Sequence, residues 1–353
     1  MTEVLTESTV AASTPVTPDQ IMQIGMGFWA SKALLSAVEL QLFTLLDGCS
    51  MTSDELAGAM HVHPRPCPDF LDALLALGLL ERDGDGPDAR YRNTAETAVF
   101  LSKTSPAYVG GLLEMANRRL YPYWAHLTEA LQTGEPQNEL KSGAPSFFEA
   151  VYADEAGLEE FLRAMRGAQL GSFYALAGAI DFDSHTRFCD LGGADGSLSV
   201  MLATAHPHLT GVTFDLPIVT PIAERFVAAS GLTDRVVARS GDFFTDPFPP
   251  ADVYLMGNIL HDWPESNRRA LLRKACEALP SGGIFVAIEN VIDDARRHNA
   301  FGLLMSLNML IELPGASDYT GAQFDDWARA AGFHHTEVRP LAGPTSAAIA
   351  FKA

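Results

Sequence analysis

The sequence predicts an α/β protein: a largely helical, winged-helix-like N-terminal part followed by a parallel sheet with helices on both faces. Three observations carry this expectation. Apolar residues recur at helical spacing from Asp19 onward. After Asp183 short β-rich runs alternate with helical segments. A glycine-rich turn, Asp190-Leu-Gly-Gly-Ala-Asp-Gly196, follows the first of those runs and leads into a helix.

Residues 1–17 are rich in Thr, Ser and Pro and read as a disordered tail without the charged and apolar regions of a signal peptide. Residues 18–105 read as the winged-helix-like domain. Its helical stretch from Asp19 to Leu46 is too apolar all round for an ordinary surface helix pair, which points to a core face plus a self-association face. Thr52-Ser53-Asp54-Glu55 opens a capped helix, and a second runs from Phe70 to Leu80. A hairpin with a Gly-rich tip follows between Arg82 and Arg92. Residues 106–180 read as a helical region broken near Gly134 and Gly143, dense in Met and aromatic residues such as Phe147, Phe148 and Tyr152. Residues 181–353 form the sheet domain, with strands expected at 186–191, 210–214, 236–240, 253–256 and 284–288.

Composition narrows the function. Of 353 residues 24 are basic and 44 acidic, a net charge of −20, while 47% are hydrophobic, enough to build buried cores. Between Ser50 and Ser105 nine acids face five bases, so the winged-helix outline lacks the basic face that DNA requires. The same acidity disfavours anionic lipid, and no uninterrupted apolar run reaches the length of a membrane span. The four cysteines lie far apart, and neither a disulfide framework nor a metal site is expected. A reduced cytoplasmic protein with a small or cationic ligand is the expectation.

The glycines at 192, 193 and 196 allow close backbone approach, although a tight structural turn would use them equally well. Their spacing is not that of the dinucleotide fingerprint. Phe214-Asp215-Leu216-Pro217 ends the second strand with an acid suited to both ribose hydroxyls of a nucleoside. Asp242 and Phe243 end the third, placed to accept from an exocyclic amine and to cover a flat base. A nucleoside site without phosphate provision, walled by acids, suits S-adenosylmethionine, whose sulfonium is cationic. His261 follows the fourth strand and Glu289 ends the fifth, both on the ligand side of the sheet. With Asp262 beside it, His261 is a candidate general base for a phenol, whose pKa of about 10 keeps it protonated at neutral pH.

The set DLGGADG, FDLP, GDFF and ILHDW, in this order and spacing, resembles the class I S-adenosylmethionine-dependent methyltransferases of the caffeic-acid and hydroxyindole O-methyltransferase type. That resemblance covers nearly the whole chain. It implies a Rossmann-like catalytic domain behind an N-terminal winged-helix dimerisation domain, a homodimer, and methylation of a hydroxyl on a small aromatic metabolite. Methylation of an activated ring carbon, or a non-methylating activity on the same scaffold, is the alternative. The implied cofactor contacts are Asp190, Gly192, Gly193, Gly196, Asp215, Leu216, Asp242, Phe243 and Asn258. The implied catalytic set is His261, Glu289 as the first supporting acid, and Asp318 as the second. Asp318 stands where the family has a longer Glu, so a bridging water is expected between it and the histidine. The implied substrate wall is Met115, Trp124, Phe161, Met165, Asn258, Asp262, Asn308, Met309 and Glu312, with Phe28 and Trp29 reaching into the partner subunit. Two further departures stand out. Ala194 replaces a glycine, which is harmless at negative φ, and Gly257 replaces a lysine that contacts the cofactor in some plant members.

Overall fold

A computed structural model describes residues 16–144, 147–152 and 155–353. The expected tail lies outside the described residues up to residue 15. The chain divides into two compact units, residues 1–97 and 98–353. The helical segments of 106–180 fall within the second.

The first unit begins with the Asp19–Glu39 helix. Leu35, Ala37 and Val38 are buried, while Ile21, Met22, Ile24, Phe28 and Trp29 are exposed. Gln41, at φ +56°, separates this helix from the short Leu42–Leu45 helix. By length and composition the first helix qualifies as a membrane span. Polar residues such as Gln23 and Lys32 interrupt its apolar stretch. Strand β1 (Met51–Thr52) leads into the Ser53–Ala59 helix. The expected cap is present: Thr52 Oγ1 accepts from the Glu55 N–H, and Glu55 Oε2 accepts from the Thr52 N–H at 2.8 Å. The Cys67–Ala76 helix buries Leu71 and Leu74. Strands β2 (Leu80–Asp83) and β3 (Arg90–Asn93) then pair antiparallel, with β1 on the free edge of β3.

In the second unit β4 (Arg187–Leu191), β5 (Thr210–Asp215), β6 (Val236–Ser240), β7 (Val253–Gly257) and β8 (Ile284–Glu289) are parallel and lie within a residue of the expected bounds. Strands β9 (His335–Pro340) and β10 (Ser346–Phe351) add an antiparallel hairpin through β10 on β8. The full order is β6-β5-β4-β7-β8-β10-β9. Alternation along each strand feeds two cores. Cys189, Tyr254, Met256, Phe285 and Ala287 pack with Leu271, Leu272 and Phe324 from the Glu265–Ala278 and Gly321–Ala331 helices. Phe188, Leu255, Val286 and Ile288 pack on the other face with Leu198, Leu202, Phe173 and Leu176. All six β8 residues are buried, as a strand covered on both faces requires.

This sandwich positions the site. The C-terminal half of the Glu155–Ala179 helix is fixed on the sheet by Phe173 and Leu176. Its earlier turns carry Phe161, Met165 and Gln169 beyond the strand ends. The Ala300–Glu312 helix, capped by Asn299, whose side chain accepts from the Gly302 N–H at 2.9 Å, supplies a facing wall.

Candidate active site

The turns after β4, β5, β6 and β7 converge on a cavity of about 660 Å³, a size suited to small molecules. The β4 turn is tied to β5 by the Gly192 N–H, which donates to the Phe214 carbonyl at 2.8 Å. Asp215 completes the tie. Its Oδ2 accepts from the Ala194 N–H at 2.8 Å and its Oδ1 from the Leu216 N–H at 2.7 Å. Ala194 sits at φ +51°, not the negative φ its tolerance required. That conformation costs an alanine about 1–2 kcal/mol, and the Asp215 bond holds it there. Gly193 has no room for a side chain, since a Cβ would stand 2.2 Å from Thr213 Oγ1. Gly196 packs near Thr213 and Val227 and is the one implied cofactor residue that does not line the cavity.

Asp190, Asp215, Leu216, Asp242, Phe243 and Asn258 all line it. Burial pushes Asp190 up to about 7, with the Ser199 hydroxyl opposing and the neighbouring Asp215 and Asp195 adding to the rise. Burial likewise raises Asp215 to about 6, against its two backbone N–H bonds. The lining residues include two arginines, and both are committed. Arg166 pairs with Asp195 at 2.9 Å, while Arg119 is bidentate to Glu139 at 2.7 and 2.8 Å and reaches Glu312 at 3.0 Å. Among the described residues no free cation lines the cavity to meet a phosphate, whereas the acids and the close backbone cradle fit a cationic nucleoside sulfonium.

His261 lies on the short turn Leu260–Asp262 beyond β7, and is buried. Its Nδ1 meets Asp318 Oδ1 directly at 3.2 Å, and its Nε2 lies 3.5 Å from Asp262 Oδ1. No bridging water is needed, because Ser317 N–H donates to the His261 carbonyl at 2.9 Å and draws the Asp318 segment close. Glu289 does not reach the ring. Its Oε1 accepts from the backbone N–H groups of Ile259 and His261, both at 3.1 Å, so it fixes the loop and leaves the imidazole to Asp318. Neither Glu289 nor Asp318 lines the cavity; both stand behind the histidine. Burial opposes the imidazolium, but the Asp318 bond and the charges of Asp262, Glu289 and Asp318 outweigh it and raise His261 to about 10. Burial raises Asp262 to about 7.

The opposite wall is apolar. Met115, Phe161, Met165, Asn308, Met309 and Glu312 line it as expected, together with Phe147, Phe148 and Tyr152. Trp124 does not; it stands behind the wall and donates from Nε1 to Asn308 Oδ1 at 2.8 Å, which leaves the Asn308 amide group for the cavity. Glu312 is spent largely on Arg119, though its Oε1 has no partner. Phe28 and Trp29 belong to the other unit and are exposed. Sequence reasoning passed over Arg119, Gln169 and Trp263. Trp263 was legible as the end of ILHDW; it stacks on Phe148 with ring centroids 6.0 Å apart.

Comparison with known proteins identifies the family and the fold. Residues 124–334 match the family model of the O-methyltransferase domain, and residues 22–103 that of the O-methyltransferase dimerisation domain. The chain is 43% identical to the tetracenomycin polyketide synthesis 8-O-methyl transferase of Streptomyces glaucescens, over 95% of this chain and 97% of that one. It is 35% identical to the 3-hydroxy-5-methyl-1-naphthoate 3-O-methyltransferase of Streptomyces sahachiroi, over 93% and 92%. The crystal structure of human N-acetylserotonin methyltransferase in complex with S-adenosylmethionine superposes with a TM-score of 0.90 at 27% identity, covering 98% of this chain and all of that one. The chain belongs to the S-adenosylmethionine-dependent O-methyltransferase family.

Proposed function

We propose that the protein methylates a hydroxyl of a small polyketide-type aromatic, with His261 as general base. The observation that carries this reading is the buried His261–Asp318 contact beside a cavity walled by Met and aromatic side chains. S-adenosylmethionine, when bound, supplies an electrophilic methyl group. Asp190, Asp215, Asp242 and the Gly192–Ala194 backbone would hold it. Asp318 accepts from Nδ1–H, so Nε2 is the ring position left to exchange a proton with the substrate, and it offers a lone pair only in the neutral ring. An imidazole raised to about 10 matches a phenol of about 10, so proton transfer between them is close to energetically even. The ring is imidazolium at neutral pH and must first lose its Nε2 proton, so methyl transfer is expected to quicken as pH rises toward about 10. The apolar wall excludes water and holds the ring in line. The two Streptomyces relatives are named for an 8-O-methyl transfer in tetracenomycin polyketide synthesis and for 3-O-methylation of a hydroxynaphthoate, which supports the substrate class. Incubation with a panel of phenols and naphthols tests it. O-methyl products identified by mass spectrometry and NMR are expected; ring-methylated products, or no S-adenosylhomocysteine from any substrate, would overturn the reading.

The raised acids link cofactor binding to pH. A sulfonium favours ionised Asp190 and Asp215, which become protonated as pH falls through about 7 and about 6. Affinity for S-adenosylmethionine is therefore expected to fall severalfold between about pH 7 and about pH 5, with protons released on binding. Uncharged sulfur in S-adenosylhomocysteine should show a weaker dependence. Calorimetry in buffers of different ionisation enthalpy checks the proton release.

We also propose that the exposed face of the Asp19–Glu39 helix, with Phe28 and Trp29, is covered by a second copy of the chain. Light scattering should then give twice the 38.0 kDa chain mass, and Phe28→Asp should lower it to the chain mass. A wild-type monomer would contradict this.

A further inference from the structure

Gln169 lines the cavity, and its side-chain Oε1 is buried without a hydrogen-bond partner. An unmet buried acceptor is costly unless a donor arrives. The oxygen occupies a telling place. A Cβ built on Gly257 would stand 2.7 Å from it, with the Phe173 ring next at 3.5 Å. Gly257 ends β7, at the position where the resemblance leads one to expect a lysine. Here the absence of a side chain at 257 opens the space, and an acceptor from the Glu155–Ala179 helix fills it. The polarity at this point is thereby reversed from donor to acceptor.

Sheet order says which part of a ligand meets that oxygen. Asp215 and Asp242 follow β5 and β6, on one side of β4, and Gly257 ends β7 on the other. A ligand with its ribose and base at Asp215 and Asp242 crosses the β4 glycine turn and brings its amino-acid end toward β7. An acceptor there pairs with an ammonium and not with a carboxylate. We infer that Gln169 Oε1 accepts a hydrogen bond from the ammonium group of the cofactor's methionine portion, and that Gly257 is required to leave room for it. The inference rests on Asp215 and Asp242 holding the nucleoside.

Calorimetric binding of two ligands tests it: S-adenosylhomocysteine, which carries the amino acid, and 5′-methylthioadenosine, which lacks it. Gln169→Ala is expected to weaken S-adenosylhomocysteine by about tenfold or more, the worth of one bond to a charged group, and to leave methylthioadenosine unchanged. Gly257→Ala, which displaces Oε1, should act in the same direction and add little to Gln169→Ala in the double variant. Gln169→Glu should restore affinity. Unchanged methylthioadenosine binding also shows that the variant is folded. Equal losses for both ligands, or no loss for either, would overturn the inference. Failure of the nucleoside assignment is distinguishable, because methylthioadenosine would then bind Asp215→Ala as well as wild type.

Discussion

Replacing His261 with alanine is expected to lower turnover by about 10²–10⁴-fold, the usual worth of a positioned acid–base group, while cofactor binding persists. The separation of the two effects follows from how the loop is held. Glu289 grips the backbone N–H groups of Ile259 and His261, which alanine retains, and Ser317 still donates to the carbonyl of residue 261. What is lost is the imidazole between Asp318 and Asp262, and with it the acceptor for the phenolic proton. Removing the cation from among buried acids also carries a stability cost of about 3 kcal/mol, read as a fall in Tm. Binding of S-adenosylhomocysteine within about threefold of wild type confirms a folded site, a change small beside a single bond to a charged group. Wild-type turnover would remove His261 from the chemistry.

Replacing Asp215 with alanine is expected to weaken S-adenosylhomocysteine binding by about a hundredfold or more. The carboxylate has two duties. It receives the N–H groups of Ala194 and Leu216, holding Ala194 at φ +51°, where an alanine does not rest unaided. It also retains lone pairs for ligand hydroxyls on the cavity side. Each bond to a charged acceptor is worth about 1.5–3 kcal/mol, so losing the ligand contacts and relaxing the turn together exceed about 2.7 kcal/mol. Asp215→Asn keeps the shape but turns an amide NH₂ toward one backbone N–H, and should be nearly as weak. Calorimetry measures both; unaltered affinity in either variant would show that the turn binds its ligand without this acid.

The sheet was legible because short β-rich runs are evenly interleaved with helices, and the expected strand ends fall within a residue of those observed. The antiparallel β9–β10 hairpin was not, since His335–Pro340 opens on three consecutive polar residues without strand alternation and lies at an edge. The site was legible where chemistry sits at strand ends, at Asp190, Asp215, Asp242 and His261. It was misread where reach depends on the backbone between elements. Asp318 is short, but the Ser317–His261 bond brings it to the ring, whereas the longer Glu289 turns to the loop N–H groups. Trp124 has the composition of a wall residue, yet its indole N–H is spent on Asn308. Gln169 carried no signal at all, because its place follows from how the Glu155–Ala179 helix is set against β7.

The role of His261 is tested most directly by the dependence of methyl-transfer rate on phenol acidity, in wild type and in His261→Ala. A series of ring-substituted phenols spanning several units of pKa below about 10 provides the range. A base matters only where a proton must be removed. The expected result is a large deficit of the variant with weakly acidic phenols that shrinks steadily toward those already ionised at the assay pH. A deficit of the same size across the series would contradict the assignment of His261 as the base that makes the nucleophile.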